Sequence, residues 1–221
     1  MTEPKKEAAV PRPATTVLLL RPSVPGEGTS PLEVFMVVRH HAIDAFSGAL
    51  VFPGGKLEDA DGDAKLRARC GGADKIADGE LKFRIAGVRE AFEECGVLLA
   101  RKRGQRALIA AADLLGIEER WRKKLAKDEA SIIDLVEAED LEIATDLMVP
   151  FAHWITPTFA PTRFDTWFFL AEAPEDQIAL HDGSESVDSV WITRLPCGVH
   201  PSRRECTRRR SRDQAPSRGT P

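Results

Sequence analysis

One amphipathic segment, residues 80–99, constrains this chain more than any other part of its sequence. On a helix, its apolar residues recur at spacings of four, three, four and three and form one face. They are Leu81, Ile85, Val88, Phe92 and Cys95. Glu90, Glu93 and Glu94 fall within about 100° of arc on the opposite face. The segment therefore predicts a helix that packs on a core through one face, and Gly96 provides its C-terminal stop.

Short apolar segments on both sides of this helix have the composition of β-strands. Before the helix they are residues 14–21, 32–39 and 49–52, and after it residues 150–156, 163–171 and 186–193. Residues 105–140 contain further helical periodicity and predict a helical insert. The strands do not alternate regularly with helices, which argues against a doubly wound sheet. This order of elements predicts an α/β sandwich with a mixed sheet.

The composition fits one globular domain and argues against several classes of protein. Of the 221 residues, 43% are hydrophobic, which is enough for a core. No apolar run approaches the ~18 residues needed to cross a membrane, and residues 1–13 lack the apolar stretch of a secretory signal. The four cysteines show no disulfide spacing. We therefore expect a cytoplasmic protein with no membrane association, a disordered leader at residues 1–13 and one domain at residues 14–194.

The charge is divided unevenly between the body of the chain and its end. Residues 195–221 hold seven arginines and two acidic residues, so they carry +5 of a net charge of −4 and leave −9 for the rest. An acidic body does not favour nucleic-acid binding, so we expect no nucleic-acid partner. The basic tail is either a natural disordered segment that binds phosphate or an acidic partner, or an aberrant ending, for instance from a reading-frame shift. We favour the second, because the preceding strand lacks a following element.

The three glutamates on one helix face point to a chemical role. Like charges on adjacent turns repel each other, and they do so more strongly when they are partly buried. A solvated acidic face is the ordinary explanation of such a pattern. Here the glutamates follow the segment Pro53-Gly54-Gly55 in an acidic body, and clustered carboxylates bind hard divalent cations through oxygen. Because such a cation bridges to the oxygens of a diphosphate, the helix is a candidate metal site.

Residues 89–97 resemble the second half of the Nudix box, G-x5-E-x7-R-E-U-x-E-E-x-G-U, in which U is aliphatic. Every defined position of that half is present. In the first half, Gly55 is followed by five residues and then Asp61, where the family has glutamate. Between Asp61 and Arg89 lie 27 residues instead of the seven in the pattern. The box therefore resembles one that is split by a 20-residue insertion, within about residues 62–81.

Further segments are similar to one branch of this superfamily, which includes the peroxisomal coenzyme A diphosphatases. They are residues 51–55, 97–101, 154–157 and 163–166. The resemblance covers about residues 14–193 and implies a Nudix-type α/β/α sandwich. Nothing after Thr193 resembles the family, which normally continues with a helix. Because the box is split, Asp61 and Glu58 are both candidates for pairing with Arg89.

The resemblance implies hydrolysis of a diphosphate linkage in a nucleoside diphosphate derivative, with Mg²⁺ or Mn²⁺ as the cofactor. Glu93 and Glu94 would bind the metal, and Glu90 would be a further ligand or the general base. The carbonyl of Gly54 is an additional candidate ligand. Arg89 would hold the loop and the helix together, and all four charged residues belong to the catalytic set.

Weaker candidates concern the binding of substrate. Arg39, at the end of a predicted strand, and Arg163 are candidates for contacting an anionic substrate, as is Gly55 in the turn. The alternative for Arg39 is an ordinary surface arginine, and the alternative for Arg163 is an ion pair with Asp165. Glu185 is a candidate for the distant carboxylate that some members of the family use as a ligand or a base, and is otherwise a solvated loop residue.

Three questions stay open at the level of sequence. The nucleotide-derived substrate is coenzyme A, an acyl-coenzyme A, ADP-ribose or a dinucleotide such as NADH. The chain is an active enzyme or a catalytically impaired nucleotide-binding module on the same fold, and the intact glutamates favour the enzyme. The helical insert at residues 105–140 is a lid, the surface of a homodimer, or a helix pair that packs on the body.

Overall fold

A computed structural model describes residues 8–23, 31–39, 49–177, 179 and 186–193. Its strands are β1 (Arg12–Pro22), β2 (Leu32–Arg39), β3 (Leu50–Val51), β4 (Gly54–Lys56), β5 (Ala100–Lys102), β6 (Leu141–Ile143), β7 (Val149–Ile155), β8 (Phe164–Glu172) and β9 (Ser186–Thr193). Its helices are α1 (Asp78–Cys95), α2 (Ala111–Leu125) and α3 (Ile132–Ala138). Short 3-10 turns cover Asp59–Gly62, Ala64–Arg69, Ala73–Lys75 and Thr145–Leu147.

Strand β1 organises the main sheet. It runs parallel to β8 and antiparallel to β2 and β4, while β7 borders β8, and β3 and β9 pair with β2. Thr15, Val17 and Leu19 are buried, whereas the intervening Thr16 and Leu18 are half-buried, which is the two-residue period of a strand with one more deeply covered face. The parallel and antiparallel pairs together confirm the predicted α/β fold with a mixed sheet.

The first strand extends further towards the N-terminus than its composition predicted. It begins at Arg12 rather than at residue 14, because Arg12 and Pro13 pair with Phe164 and Asp165 of β8. These two residues therefore belong to the sheet and not to a leader. Residues 1–7 and the tail at residues 195–221 lie outside the described residues, so disorder of the leader and the origin of the tail stay predictions.

Helix α1 packs on the sheet through the face that its spacing predicted. Its five predicted apolar residues are each at most 5% exposed. Close approach requires Gly87, because a Cβ there would lie 2.9 Å from Val17 Cγ2 and 2.7 Å from the end of Met148. The Thr15 hydroxyl also donates to the Phe83 carbonyl at 3.0 Å. The helix ends at Gly96, whose φ of 69° is left-handed and thus favours glycine.

The 20-residue insertion in the sequence motif folds back onto a second, two-stranded sheet of β5 and β6. Gly71 in the insertion donates its amide to the Ile143 carbonyl at 2.8 Å, and its own carbonyl accepts from the Thr145 hydroxyl at 2.6 Å. The insertion is thus anchored to the body of the protein. The predicted helical insert contains α2 and α3, and no helix in the described part of the chain is long and apolar enough to cross a membrane.

Candidate active site

The turn at Pro53-Gly54-Gly55, where β4 begins, lies directly against the acidic end of α1. The Gly54 amide donates to Glu94 Oε2 at 3.0 Å. Gly54 has a φ of 153°, and a Cβ there would lie 2.7 Å from Thr16 Cα, so a side chain at this position would collide with β1. Glycine therefore allows β4 to pair with β1 and to present its first amide to the helix. The predicted role of the Gly54 carbonyl as a metal ligand stays a prediction.

Gly55 leaves space for the carboxylate of Glu90. A Cβ on Gly55 would lie 2.7 Å from both Cδ and Oε2 of Glu90, well inside van der Waals contact. The Glu90 carboxyl group is therefore packed on the backbone of the turn, and the whole residue is only 8% exposed. The structure gives Gly55 this packing role, while its proposed contact with substrate stays a prediction.

Arg89 joins the two halves of the split motif. Its side chain is 2% exposed and donates from Nε and Nη2 to the two carboxylate oxygens of Asp61, at 3.0 and 3.1 Å. Nη2 also donates to the Lys56 carbonyl at 2.9 Å, and Nη1 lies 2.9 Å from Glu58 Oε1. Both candidate partners therefore contact Arg89, and Asp61 forms the two-pronged pair. The insertion leaves this pairing intact.

The same guanidinium also faces two glutamates of the helix. Arg89 Nη1 lies 3.1 Å from Glu90 Oε1 and 3.2 Å from Glu93 Oε1. With Glu58 and Asp61, four carboxylates thus surround one positive charge. Burial raises the pKa of Glu90 to about 8 and that of Glu93 to about 7, despite the opposing effect of Arg89. The site therefore holds more negative charge than its own residues neutralise.

This donor set suits a hard divalent cation. It consists of carboxylate oxygens with excess negative charge, which is what Mg²⁺ and Mn²⁺ prefer among protein ligands. Within the described residues, no three acidic, histidine or cysteine side chains already converge as a preformed metal site. Glu90 and Glu93 hydrogen-bond to Arg89, and Glu94 accepts from Gly54. A bound cation would therefore fit the charge and chemistry of the site and would require these side chains to turn towards it.

The remaining predicted residues lie outside this cluster or outside the described residues. Arg163 donates from Nε to the Thr156 carbonyl at 2.9 Å and from Nη1 to the Ala9 carbonyl at 2.7 Å. It thus ties the β7–β8 connection to the N-terminal segment, and its contact with substrate stays a prediction. Arg39 ends β2, but the structure does not describe its side chain. Glu185 lies outside the described residues.

Arg122 in α2 contacts the end of α1, which the sequence did not indicate. Its guanidinium donates to the carbonyl of Glu93 at 2.9 Å and to that of Glu94 at 3.0 Å. The residues that it joins are 28 and 29 positions apart in the chain, so no local motif could reveal the contact. The helical insert therefore reaches the backbone of two candidate metal ligands.

Comparisons with known proteins place the chain in a family. The family model described as NUDT19 Nudix domain matches residues 69–200. Human acyl-coenzyme A diphosphatase NUDT19 is 34% identical over 119 residues, which is 51% of this chain and 32% of the human protein. The chicken protein of the same name is 29% identical over 205 residues, or 72% of this chain and 54% of the relative. The chain thus spans about half, or less, of the curated relatives it matches.

The fold is also similar to that of a solved structure. The crystal structure of a Nudix hydrolase from Alicyclobacillus acidocaldarius aligns with a TM-score of 0.65 and 23% sequence identity, covering 82% of this chain and 78% of that one. This likeness shows a Nudix fold, and the family model covers more than half of the chain. The protein therefore belongs to the NUDT19 Nudix domain family.

Proposed function

We propose that this chain hydrolyses the diphosphate linkage of a nucleoside diphosphate derivative and requires Mg²⁺ or Mn²⁺. The observation that carries the proposal is the arrangement of Glu90 and Glu93 around Arg89, with Glu94 held by the Gly54 amide, beside the turn at Gly54 and Gly55. Its surplus negative charge attracts a divalent cation, and an anionic diphosphate approaches such an acidic surface when cations neutralise both partners.

A bound divalent ion would neutralise the diphosphate oxygens and lower the pKa of a coordinated water. Glu93 and Glu94 are the residues that would hold it. Gly54 orients the Glu94 carboxylate through its amide, and Arg89 donates a hydrogen bond to Glu93. Glu90 is either a further ligand or the proton acceptor, because its burial raises the pKa of its carboxyl group towards neutrality.

Coenzyme A or an acyl-coenzyme A is the first substrate to test. The human and chicken relatives are named acyl-coenzyme A diphosphatases, which supports this choice over ADP-ribose and NADH. The matched segment is a third to a half of those proteins, so the choice is a hypothesis about this chain alone. A cytoplasmic location and assembly as a homodimer likewise stay predictions.

The experiment is a substrate screen with the full chain. Purified protein is incubated with coenzyme A, an acyl-coenzyme A, ADP-ribose or NADH, with Mg²⁺, with Mn²⁺ and with a chelator. Cleavage of coenzyme A releases phosphopantetheine and adenosine 3′,5′-diphosphate, whereas ADP-ribose releases AMP, so chromatography distinguishes the substrates. We expect cleavage that requires metal.

Two variants test the assignment of the glutamates. Glu93→Gln and Glu94→Gln should each lower kcat/KM by about 100-fold or more, because each removes a charge that the transition state needs. Glu119→Gln, an exposed site on α2, is the matched control and should cleave at the normal rate. Undiminished cleavage by the first two variants would refute their roles. Nucleotide binding without any product would instead favour the impaired binding module.

A further inference from the structure

The C-terminal end of α1 is held by a side chain from the helical insert. The last carbonyls of a helix have no partner within it, and those of Glu93 and Glu94 belong to this final turn. Arg122 donates to both carbonyls, and its side chain is only 15% exposed. Glu118, one turn earlier in α2, pairs with Arg122 and orients it. A cation is also favourable at this end of a helix dipole.

The same two residues carry the carboxylates assigned to metal binding. The Gly54 amide holds the Glu94 side chain on the turn, while Arg122 holds the backbone of Glu93 and Glu94 on the insert. The packing at this end is tight, because a Cβ on Gly96 would lie 3.0 Å from Arg122 Nη1. The last turn of α1 is therefore fixed from two directions.

We propose that Arg122 is a positioning residue for the metal site. It fixes the backbone from which Glu93 and Glu94 extend, so that the geometry of α2 sets the affinity of the site for its cation. This inference rests on the proposed function for the identity of the site. The planar guanidinium reaches two carbonyls at once, which a lysine ammonium on its flexible stem does poorly.

The test compares Arg122→Gln and Arg122→Lys with Arg120→Gln. Arg120→Gln removes the same charge from the same helix. Arg120, however, pairs with Glu139, and its side chain is more than half exposed. Titration of the metal-free chain with Mn²⁺ by calorimetry measures affinity without turnover. Hydrogen exchange over residues 89–99 reports whether the end of α1 opens. Kinetics at saturating and limiting Mn²⁺ separate the KM for nucleotide from the requirement for metal.

We expect Arg122→Gln to weaken Mn²⁺ binding about tenfold and to accelerate exchange at the end of α1. The KM for nucleotide at saturating Mn²⁺ should stay unchanged. Arg122→Lys should show a smaller defect, and Arg120→Gln should match the unaltered protein. If Arg122→Gln does not fold, Arg122→Lys decides the question by the same measurements.

Two outcomes would overturn the inference. The first is unaltered Mn²⁺ affinity in a variant whose helix end exchanges faster, which would leave Arg122 a purely structural role. The second is an unaltered protein that binds no Mn²⁺. Failure of the proposed function has a different signature: the unaltered protein binds Mn²⁺, Arg122→Gln weakens that binding, and no diphosphate is cleaved. In that case the positioning role of Arg122 holds without the enzyme activity.

Discussion

Two arginine-centred clusters in this protein differ in their surplus of negative charge and in the burial of their carboxylates. The Arg89 cluster (Arg89 with Glu58, Asp61, Glu90 and Glu93) sets one cation among four carboxylates, and the Arg89 side chain is 2% exposed. The Arg101 cluster (Arg101 with Glu142 and Asp146) sets one cation beside two carboxylates that are each about one-third exposed. The first lies at the candidate active site, and the second joins β5 and β6 to the turn that follows them.

The pKa shifts of the carboxyl groups reveal the difference. In the Arg101 cluster, hydrogen bonds from Arg101 lower the pKa of Asp146, so the charged form is the stable one. In the Arg89 cluster, burial raises the pKa of Glu90 and Glu93. A cluster that only stabilises a fold is balanced or open to solvent. Buried carboxylates in excess are costly unless a proton or a cation compensates them, which is the mark of a ligand site.

Removing the two central arginines should give the largest contrast. Arg89→Met leaves four carboxylates without a counter-charge, and we expect it to lower the free energy of unfolding by about 3–5 kcal/mol. Arg101→Met leaves solvent-screened carboxylates and should cost about 1–2 kcal/mol. Urea denaturation of both variants in chelator measures these losses. Equal losses of unfolding free energy in Arg89→Met and Arg101→Met would show that surplus negative charge does not distinguish the clusters.

Added Mg²⁺ should stabilise one cluster only. A ligand that binds only the folded state, at a free concentration of 100 times its Kd, adds about 2.7 kcal/mol to the free energy of unfolding. We expect an increase of this size for the unaltered protein and none for Glu93→Gln. Asp146→Asn, which alters the Arg101 cluster, should keep the full increase. Thermal denaturation with and without Mg²⁺ provides the measurement, and a loss of the increase in Asp146→Asn would contradict the assignment.

In each cluster, one carboxylate packs against a neighbouring glycine. A Cβ on Gly55 would displace Glu90, and a Cβ on Gly71 would lie 2.6 Å from Asp146 Oδ1 and 2.8 Å from Arg101 Nη1. Gly55→Ala should therefore lower metal-dependent kcat/KM about tenfold, equivalent to about 1.4 kcal/mol. Gly71→Ala should reduce stability and leave the metal requirement unchanged. Steady-state kinetics across a range of Mg²⁺ concentrations distinguishes the two, and equal effects on the metal requirement would count against the comparison.

The sequence predicted the parts of the fold whose signals are local. The spacing of apolar residues in α1 identified the buried face, and Gly96 identified the end of the helix. The resemblance to the Nudix box named Asp61 and Glu58 as candidate partners of Arg89, in spite of the insertion. The structure shows that both acidic residues contact Arg89. These features follow from helical periodicity and short motifs.

The sequence could not predict contacts that depend on tertiary packing. Strands β5 and β6 have three residues each, too short for a period to be recognised. The Arg101–Asp146 pair joins residues 45 positions apart. Arg122 is one of three basic residues in the last turn of α2, and only the packing of α2 on α1 distinguishes it from its neighbours. Such pairings are decided by the whole fold.

The smallest expected effect is the pH dependence of the Arg101 cluster. Arg101 donates two hydrogen bonds of 2.8 Å to Asp146 and lowers the pKa of that carboxyl group below its ordinary 3.8. A carboxyl group with a lowered pKa stabilises the folded state above its unfolded pKa, and this contribution is lost as the pH falls through the folded value. Because Asp146 is partly exposed, we expect Asp146→Asn to cost only about 1 kcal/mol. In urea denaturation of both proteins, this difference should be constant from pH 7 to about pH 5 and should shrink below about pH 4. A difference that persists undiminished in acid would mean that packing of Asp146, rather than its charge beside Arg101, stabilises the Arg101 cluster.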